Sequence, residues 1–123
     1  MKFKESLFVR CRHLKISFNI ERGRCAPANT TSSVDVKGGR GEIWFNGVAI
    51  TPNPCYRLTA SFRALPDGVI EIHIDKTPPP GLCHQCLGMV EFRGILSEVE
   101  GGDYKVKVFL DEKVIFEGNI TVS

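Results

Sequence analysis

The stretch "YRLTASFRALPDGVIEIHID", residues Tyr56 to Asp75, decides the fold because it contains every signal of a β-hairpin. Apolar and polar residues alternate along both of its arms, as they do in a strand with one buried face. Between the arms, "PDG" supplies a fixed φ angle, a capping carboxylate and a glycine that tolerates positive φ, which together favour a tight turn. The stretch therefore predicts two antiparallel strands. Their predicted core residues are Leu58, Phe62, Ile70, Ile72 and Ile74.

The same period of two continues through the C-terminal third of the chain. Alternation runs over residues 90–96, 104–110 and 114–122, and the segments "EGGD" and "DEK" reverse the chain between them. Gly118 is the predicted site of a β-bulge within the last of these strands. The further core residues predicted here are Val90, Phe92, Tyr104, Val106, Val108 and Val122.

Earlier strands are predicted in "GEIWFNGVAI", residues 41–50, and more weakly at residues 15–21 and 34–37. No segment carries apolar residues at helical spacing over three turns. Short strands with closely spaced turn signals are typical of sandwiches. The sequence therefore predicts an all-β fold, an antiparallel immunoglobulin-like sandwich of seven to eight strands.

Length and charge predict how the chain is organised. Its 123 residues, 42% of them hydrophobic and 24% charged, suit one soluble globular domain. Residues 1–24 carry seven Lys or Arg against two acidic residues. We expect a basic N-terminal arm with one or two weak strands and a polar linker over residues 1–40, and the β-sandwich core over residues 41–123. No apolar run resembles a signal peptide or a membrane span.

Three pieces of the chain resemble a known family: "TPNPCY" at residues 51–56, "CHQCLGMVEFRGIL" at residues 83–96, and the ending "YKVKVFLDEKVIFEGNITV". Together they look like a family of small secreted or surface immunoglobulin-like β-sandwich proteins, found mainly in archaea and without an established activity. The resemblance covers roughly residues 41–122. It implies a sandwich fold and an oxidising or hot compartment, and hence an extracellular or cell-surface location.

The motif "CHQC" at residues 83–86 leaves three uses of its sulfurs open. A tetrahedral zinc site could take its four ligands from Cys55, Cys83, Cys86 and one of His84 or His73, although a second two-ligand knuckle is missing. A redox dithiol would need a helix after the motif to lower the thiol pKa, and "LGMVEFRGI" has strand alternation instead. The third use is a structural disulfide.

The disulfide hypothesis rests on where two strands begin. Cys55 and Cys86 each stand just before a predicted strand, and the two strand starts fall at the same end of the sandwich. We therefore predict a Cys55–Cys86 bridge, with Cys83 as the alternate partner of Cys55. Otherwise Cys83 would pair with Cys11 or Cys25, and because the chain has five cysteines, at least one lacks a partner within it.

No nucleophile, carboxylate pair or phosphate loop stands out, so an enzyme is not expected. The first functional hypothesis is a non-catalytic, disulfide-stabilised domain for surface adhesion or protein interaction, with an unknown protein partner, no cofactor and no small-molecule substrate. The alternative is an intracellular zinc-binding module that uses the Cys55, Cys83 and Cys86 cluster and contacts nucleic acid through the basic N-terminus. Nucleic acid is the less expected partner because the basic residues are not gathered in a recognised motif.

Overall fold

A computed structural model describes residues 14–123, and over this range the chain forms nine strands and no helix. The strands are β1 Lys15–Ile20, β2 Arg24–Cys25, β3 Ser33–Gly38, β4 Glu42–Thr51, β5 Arg57–Leu65, β6 Val69–Thr77, β7 Gly88–Ser97, β8 Gly102–Leu110 and β9 Lys113–Val122. They form two sheets that pack as a sandwich. The predicted all-β sandwich is confirmed, with one or two strands more than expected. The short strand β2 had no signal in the sequence pattern.

The two sheets differ in how their strands are paired. The first sheet has the order β1-β7-β4-β3, with β2 beside β7, and all of its pairs are antiparallel. The second sheet has the order β5-β6-β8-β9, and its β6–β8 pair is parallel. The antiparallel prediction is wrong for that pair because β7 crosses to the first sheet between them. One intervening strand returns the chain to its starting end, so β8 must run in the direction of β6.

Strands from the predicted N-terminal arm belong to the sandwich. β1 pairs with β7 along its whole length, and β3 pairs with β4 from Ser33 to Gly38. The predicted boundary at residue 40, between the N-terminal arm and the sandwich core, therefore falls inside the β3–β4 hairpin. Residues 1–13 of the arm, including Cys11, lie outside the described residues.

The core between the sheets contains the predicted residues. Ten of the eleven are buried, and Phe62 is partly buried and packs against the others. The Ile70, Ile72 and Ile74 row is at most 2% exposed, which confirms the inward face assigned to the hairpin. Ile43, Phe45 and Ala49 of β4 are also completely buried, and these core residues were not among those predicted.

Two phenylalanine–glycine pairs fill the middle of the first sheet. Phe45 of β4 lies opposite Gly94 of β7, and Gly47 of β4 lies opposite Phe92 of β7. A Cβ added to Gly94 would stand 2.0 Å from Cζ of Phe45, so the ring occupies the space that a side chain would need. Phe18 of β1 stacks on Phe45 at 6.1 Å between ring centroids. The Phe45 ring therefore requires a glycine at position 94, and the Ser33 carbonyl together with the Phe92 ring requires one at position 47.

The irregularity in the β8–β9 ladder is not where the sequence placed it. Gly118 pairs regularly with Val106, so the predicted bulge at Gly118 is wrong. The register shifts instead between Val108 and Phe109. A Cβ on Gly118 would lie 3.0 Å from the Phe116 ring, and this close contact accounts for the glycine without a bulge.

Candidate functional site

Three segments, residues 22–27, 51–56 and 77–88, meet at the end of the sandwich where β4 and β6 end and where β5 and β7 begin. We call these three segments the cystine rim. Two disulfides join these segments. Cys25 is bonded to Cys86 with a Cα–Cα distance of 5.7 Å, and Cys55 is bonded to Cys83 with a Cα–Cα distance of 6.1 Å. The loop between β6 and β7 is therefore tied to both of its neighbours.

The preferred pairing of Cys55 with Cys86 is wrong, and the alternate partner, Cys83, is the one that Cys55 has in the structure. The cause is β2, because its Cys25 lies opposite Gly88 in the antiparallel register with β7. The amide of Ala26 also donates to the carbonyl of Leu87 at 2.7 Å. These contacts place Cys25 beside Cys86, so Cys83 is the cysteine that remains to pair with Cys55. The expectation that the sulfurs would meet at one end of the sandwich agrees with the two Cα–Cα distances.

Side-chain hydrogen bonds hold the segment 51–56 in place. The hydroxyl of Thr51, which is 1% exposed, donates to the carbonyl of Asn53 at 2.7 Å. The side-chain oxygen of Asn53 accepts from the amide of Cys55 at 3.0 Å, which forms an Asx turn. Gly23 and Gly88 pack directly against this segment, since a Cβ on either would lie within 2.4 Å of its backbone. The three parts of the rim therefore form one tightly packed unit.

Prolines stiffen the same end of the molecule. Six of the seven prolines belong to the cystine rim, and three of them, Pro78 to Pro80, precede the "CHQC" motif. Proline fixes φ and reduces the conformations open to the unfolded chain. With both disulfides nearby, the backbone of the β6–β7 loop is restrained before any partner binds.

Two leucines of this restrained loop project into solvent. Leu82 is fully exposed and Leu87 is 62% exposed, whereas Leu58, Leu96 and Leu110 in the strands are buried. Beside them, a shallow pocket of about 530 Å³ is lined by Pro52, Asn53 and residues 81–87. Its lining includes His84, which is exposed. The rim is thus a rigid surface with apolar side chains at its tip.

The three cysteines and His84 of the proposed zinc site lie in the cystine rim, but the cysteine sulfurs form disulfides. The alternative ligand His73 lies in β6, where its ring stacks on Phe109. Cys83 and Cys55 are bonded to each other, Cys86 is bonded to Cys25, and none of the three sulfurs is a thiolate that could bind a metal ion. Over residues 14–123 no group of three or more His, Cys, Asp or Glu side chains is placed to hold one. The same part of the chain contains no helix long and apolar enough to cross a membrane.

Sequence reasoning named Cys25 only as a candidate partner of Cys83, because residues 1–40 were expected to lie outside the sandwich, whereas Cys25 is bonded to Cys86. It missed Leu82 altogether. The signal for Leu82 was present, because it is an isolated apolar residue that follows "PPPG" and precedes a cysteine. Such a residue in a turn cannot reach the core easily.

Comparisons with protein-family models, curated proteins and solved structures found no match to this chain. The fold and the rim nevertheless define a class: a disulfide-stabilised β-sandwich domain. Its disulfides are consistent with an oxidising environment.

Proposed function

We propose that this protein is a non-catalytic, disulfide-stabilised β-sandwich domain that binds a protein partner through the cystine rim, in surface adhesion or a related interaction. The observation that carries this proposal is the fully exposed side chain of Leu82 on a loop held by two disulfides. An exposed leucine contributes nothing to the core. Burying it against a partner would release about 1.5 to 3 kcal/mol.

Rigidity of the loop favours binding. Ordering a flexible interface costs about 0.5 to 1.5 kcal/mol for each immobilised side chain, in addition to the backbone entropy. In the cystine rim much of that backbone cost is met during folding, by the two disulfides and by Pro78 to Pro80. More of the energy from burying Leu82 and Leu87 is therefore available for affinity.

The chemistry of the rim supports a binding role over a catalytic one. Between Thr77 and Gly88, His84 is the only titratable side chain apart from the disulfide-bonded cysteines. Acid–base and nucleophilic catalysis usually pair such a residue with a second titratable group, and this loop supplies none. Apolar and proline side chains, which dominate this loop, suit a contact surface instead.

An extracellular or cell-surface location belongs to the same proposal. Structural disulfides persist in oxidising compartments and are uncommon in the cytosol of most organisms. The resemblance to secreted and surface sandwich proteins supports the same location. An exposed, rigid end is also the part of such a domain best placed to meet another protein.

The test compares Leu82→Asp with a matched control, Val114→Asp. Val114 is 44% exposed and lies in β9, the last strand of the second sheet, outside the three rim segments. Both variants should fold, because changes at exposed positions usually alter stability by no more than about 0.5 kcal/mol. Immobilised wild-type protein and each variant are incubated with a detergent-solubilised surface fraction of the source cells, and retained proteins are identified by mass spectrometry.

We expect a protein that is retained by the wild type and by Val114→Asp and is lost with Leu82→Asp. A photo-activatable phenylalanine analogue placed at position 82 should then cross-link to that protein, and the same group at position 114 should not. The proposal is wrong if no retained protein depends on Leu82, or if the cross-link forms equally well from both positions.

A further inference from the structure

A second surface, separate from the cystine rim, lies on the outer face of the first sheet. It is a groove of about 650 Å³. Its floor is formed by the interior strands β4 and β7, and β1 forms one side. The lining side chains that matter here are Asn19, Trp44, Asn46, Glu91 and Arg93.

Strand register arranges the polar side chains of the groove in a row. Asn19 of β1 lies opposite Arg93 of β7, and Arg93 lies opposite Asn46 of β4. Neighbouring strands are about 4.8 Å apart, so these three side chains follow one another across the sheet at that spacing. Trp44 is two residues before Asn46 and therefore projects from the same face, beside the row.

The polar groups of this row are available for a ligand. Within the described part of the chain, the side chains of Asn19, Asn46 and Arg93 make no hydrogen bond or ion pair. Glu91 is instead paired with Arg24, whose Nη2 lies 3.2 Å from its Oε1. The indole of Trp44 is 39% exposed, and it is the only tryptophan in the chain.

We propose that this groove binds a neutral saccharide. A sugar ring presents C–H groups on one face and hydroxyl groups around its edge. The exposed part of the Trp44 indole offers an apolar aromatic surface to the C–H groups. The two asparagine amides and the guanidinium group of Arg93 can donate to the hydroxyl oxygens, and the amide oxygens can accept from the hydroxyl groups.

The charge of the groove and the pairing of its strands argue against nucleic acid and an added peptide strand as its ligands. Arg93 is offset by Glu21, and the Arg24–Glu91 pair adds no net charge. A nucleic-acid surface would need a clear excess of Lys and Arg. The floor strands β4 and β7 are bonded to neighbours on both sides, so a ligand that lies on the floor of the groove binds side chains and does not extend the sheet. A ligand without charge that binds side chains alone fits both facts.

The single tryptophan makes the test direct, because all tryptophan fluorescence comes from the groove. Purified protein is titrated with four neutral hexasaccharides, built of α-glucose, β-glucose, mannose and N-acetylglucosamine units. A sulfated glycosaminoglycan fragment and a glycerol solution of equal osmolality serve as comparisons. Binding to the variants Trp44→Ala, Arg93→Ala and the control Asn119→Ala is measured by calorimetry.

We expect at least one neutral hexasaccharide to change the Trp44 emission with saturation. Its affinity should fall about tenfold or more in Arg93→Ala and Trp44→Ala, because each loses a direct contact. It should be unchanged in Asn119→Ala, where the altered side chain is exposed on β9 of the other sheet. The proposal is overturned if no neutral hexasaccharide binds, if only the sulfated fragment binds, or if Arg93→Ala binds as tightly as the wild type. None of these outcomes depends on the cystine rim.

Discussion

Replacing cysteines in pairs should separate the two disulfides energetically. The Cys55–Cys83 bond closes a loop of 28 residues, for which the chain-entropy relation gives about 3.6 kcal/mol. That loop lies inside the one closed by Cys25–Cys86, which spans 61 residues, so the outer bond adds an effective loop of 61 − 28 = 33 residues. The same relation gives about 3.7 kcal/mol for that loop. The two bonds together then contribute about 7 kcal/mol, comparable to the whole stability of many domains.

Two double variants test the pairing itself. Cys55→Ala with Cys83→Ala removes one complete disulfide and should lower the free energy of unfolding by about 3.6 kcal/mol. Cys55→Ala with Cys86→Ala takes one partner from each disulfide, so it should cost about 7 kcal/mol. Urea unfolding followed by fluorescence, with free thiols counted in parallel, gives both values.

Reductant provides the control for this pair of measurements. With both disulfides reduced, the wild type and the two double variants should unfold at nearly the same urea concentration, since no bond is left to lose. The pairing is refuted if, under oxidising conditions, the variant at positions 55 and 86 is no less stable than the variant at positions 55 and 83. It would be refuted also if the wild type were insensitive to reductant.

Two further predictions follow from the packing and the charges. Gly94→Ala should lower the free energy of unfolding by about 1 to 3 kcal/mol, because the added Cβ overpacks against the buried Phe45 ring. Gly81→Ala should be nearly neutral, because nothing lies within 4 Å of its added Cβ. Equal melting temperatures for these two variants would contradict this prediction. The ammonium group of Lys105, 3.0 Å from the Glu117 carboxylate, lowers the pKa of Glu117 below its ordinary value of 4.5 by hydrogen bonding and by charge attraction. The contribution of this Lys105–Glu117 contact to folding stability is therefore present above pH 4.5, and it is lost as the pH falls through the lower pKa that Glu117 has in the folded state. An NMR titration should show the Glu117 pKa rising in Lys105→Met, and an unchanged value would exclude the contact.

The β5–β6 hairpin was predictable because all of its signals are local. The alternation fixes which face is buried, and the turn at Pro66 to Gly68 fixes the register, with Leu65 opposite Val69. Gly68 has the positive φ of 77° that the turn assignment requires. No distant part of the chain is needed to determine these features.

The pairing of cysteines was not predictable in the same way. It depends on β2, whose two residues form a strand only because β7 provides hydrogen-bonding partners for them. Their own side chains, those of Arg24 and Cys25, are exposed and carry no alternation of apolar and polar residues. The pairing is therefore a consequence of tertiary structure, and the sequence could restrict it only to one end of the sandwich.

Alternation of side chains explains why the two candidate binding surfaces differ in character. On the strands, the period of two sends Ile43 and Phe45 to the core and leaves Trp44 and Asn46 on the outer face, so a site there must combine isolated apolar and polar side chains. In the loop before β7 no such alternation applies, and Leu82 can be exposed without disturbing a sheet. A fold of this kind therefore carries apolar anchors at its loop ends and mixed polar and aromatic surfaces on its faces. The cystine rim and the groove at Trp44 occupy those two kinds of position, which is why we assign them to ligands of different chemistry.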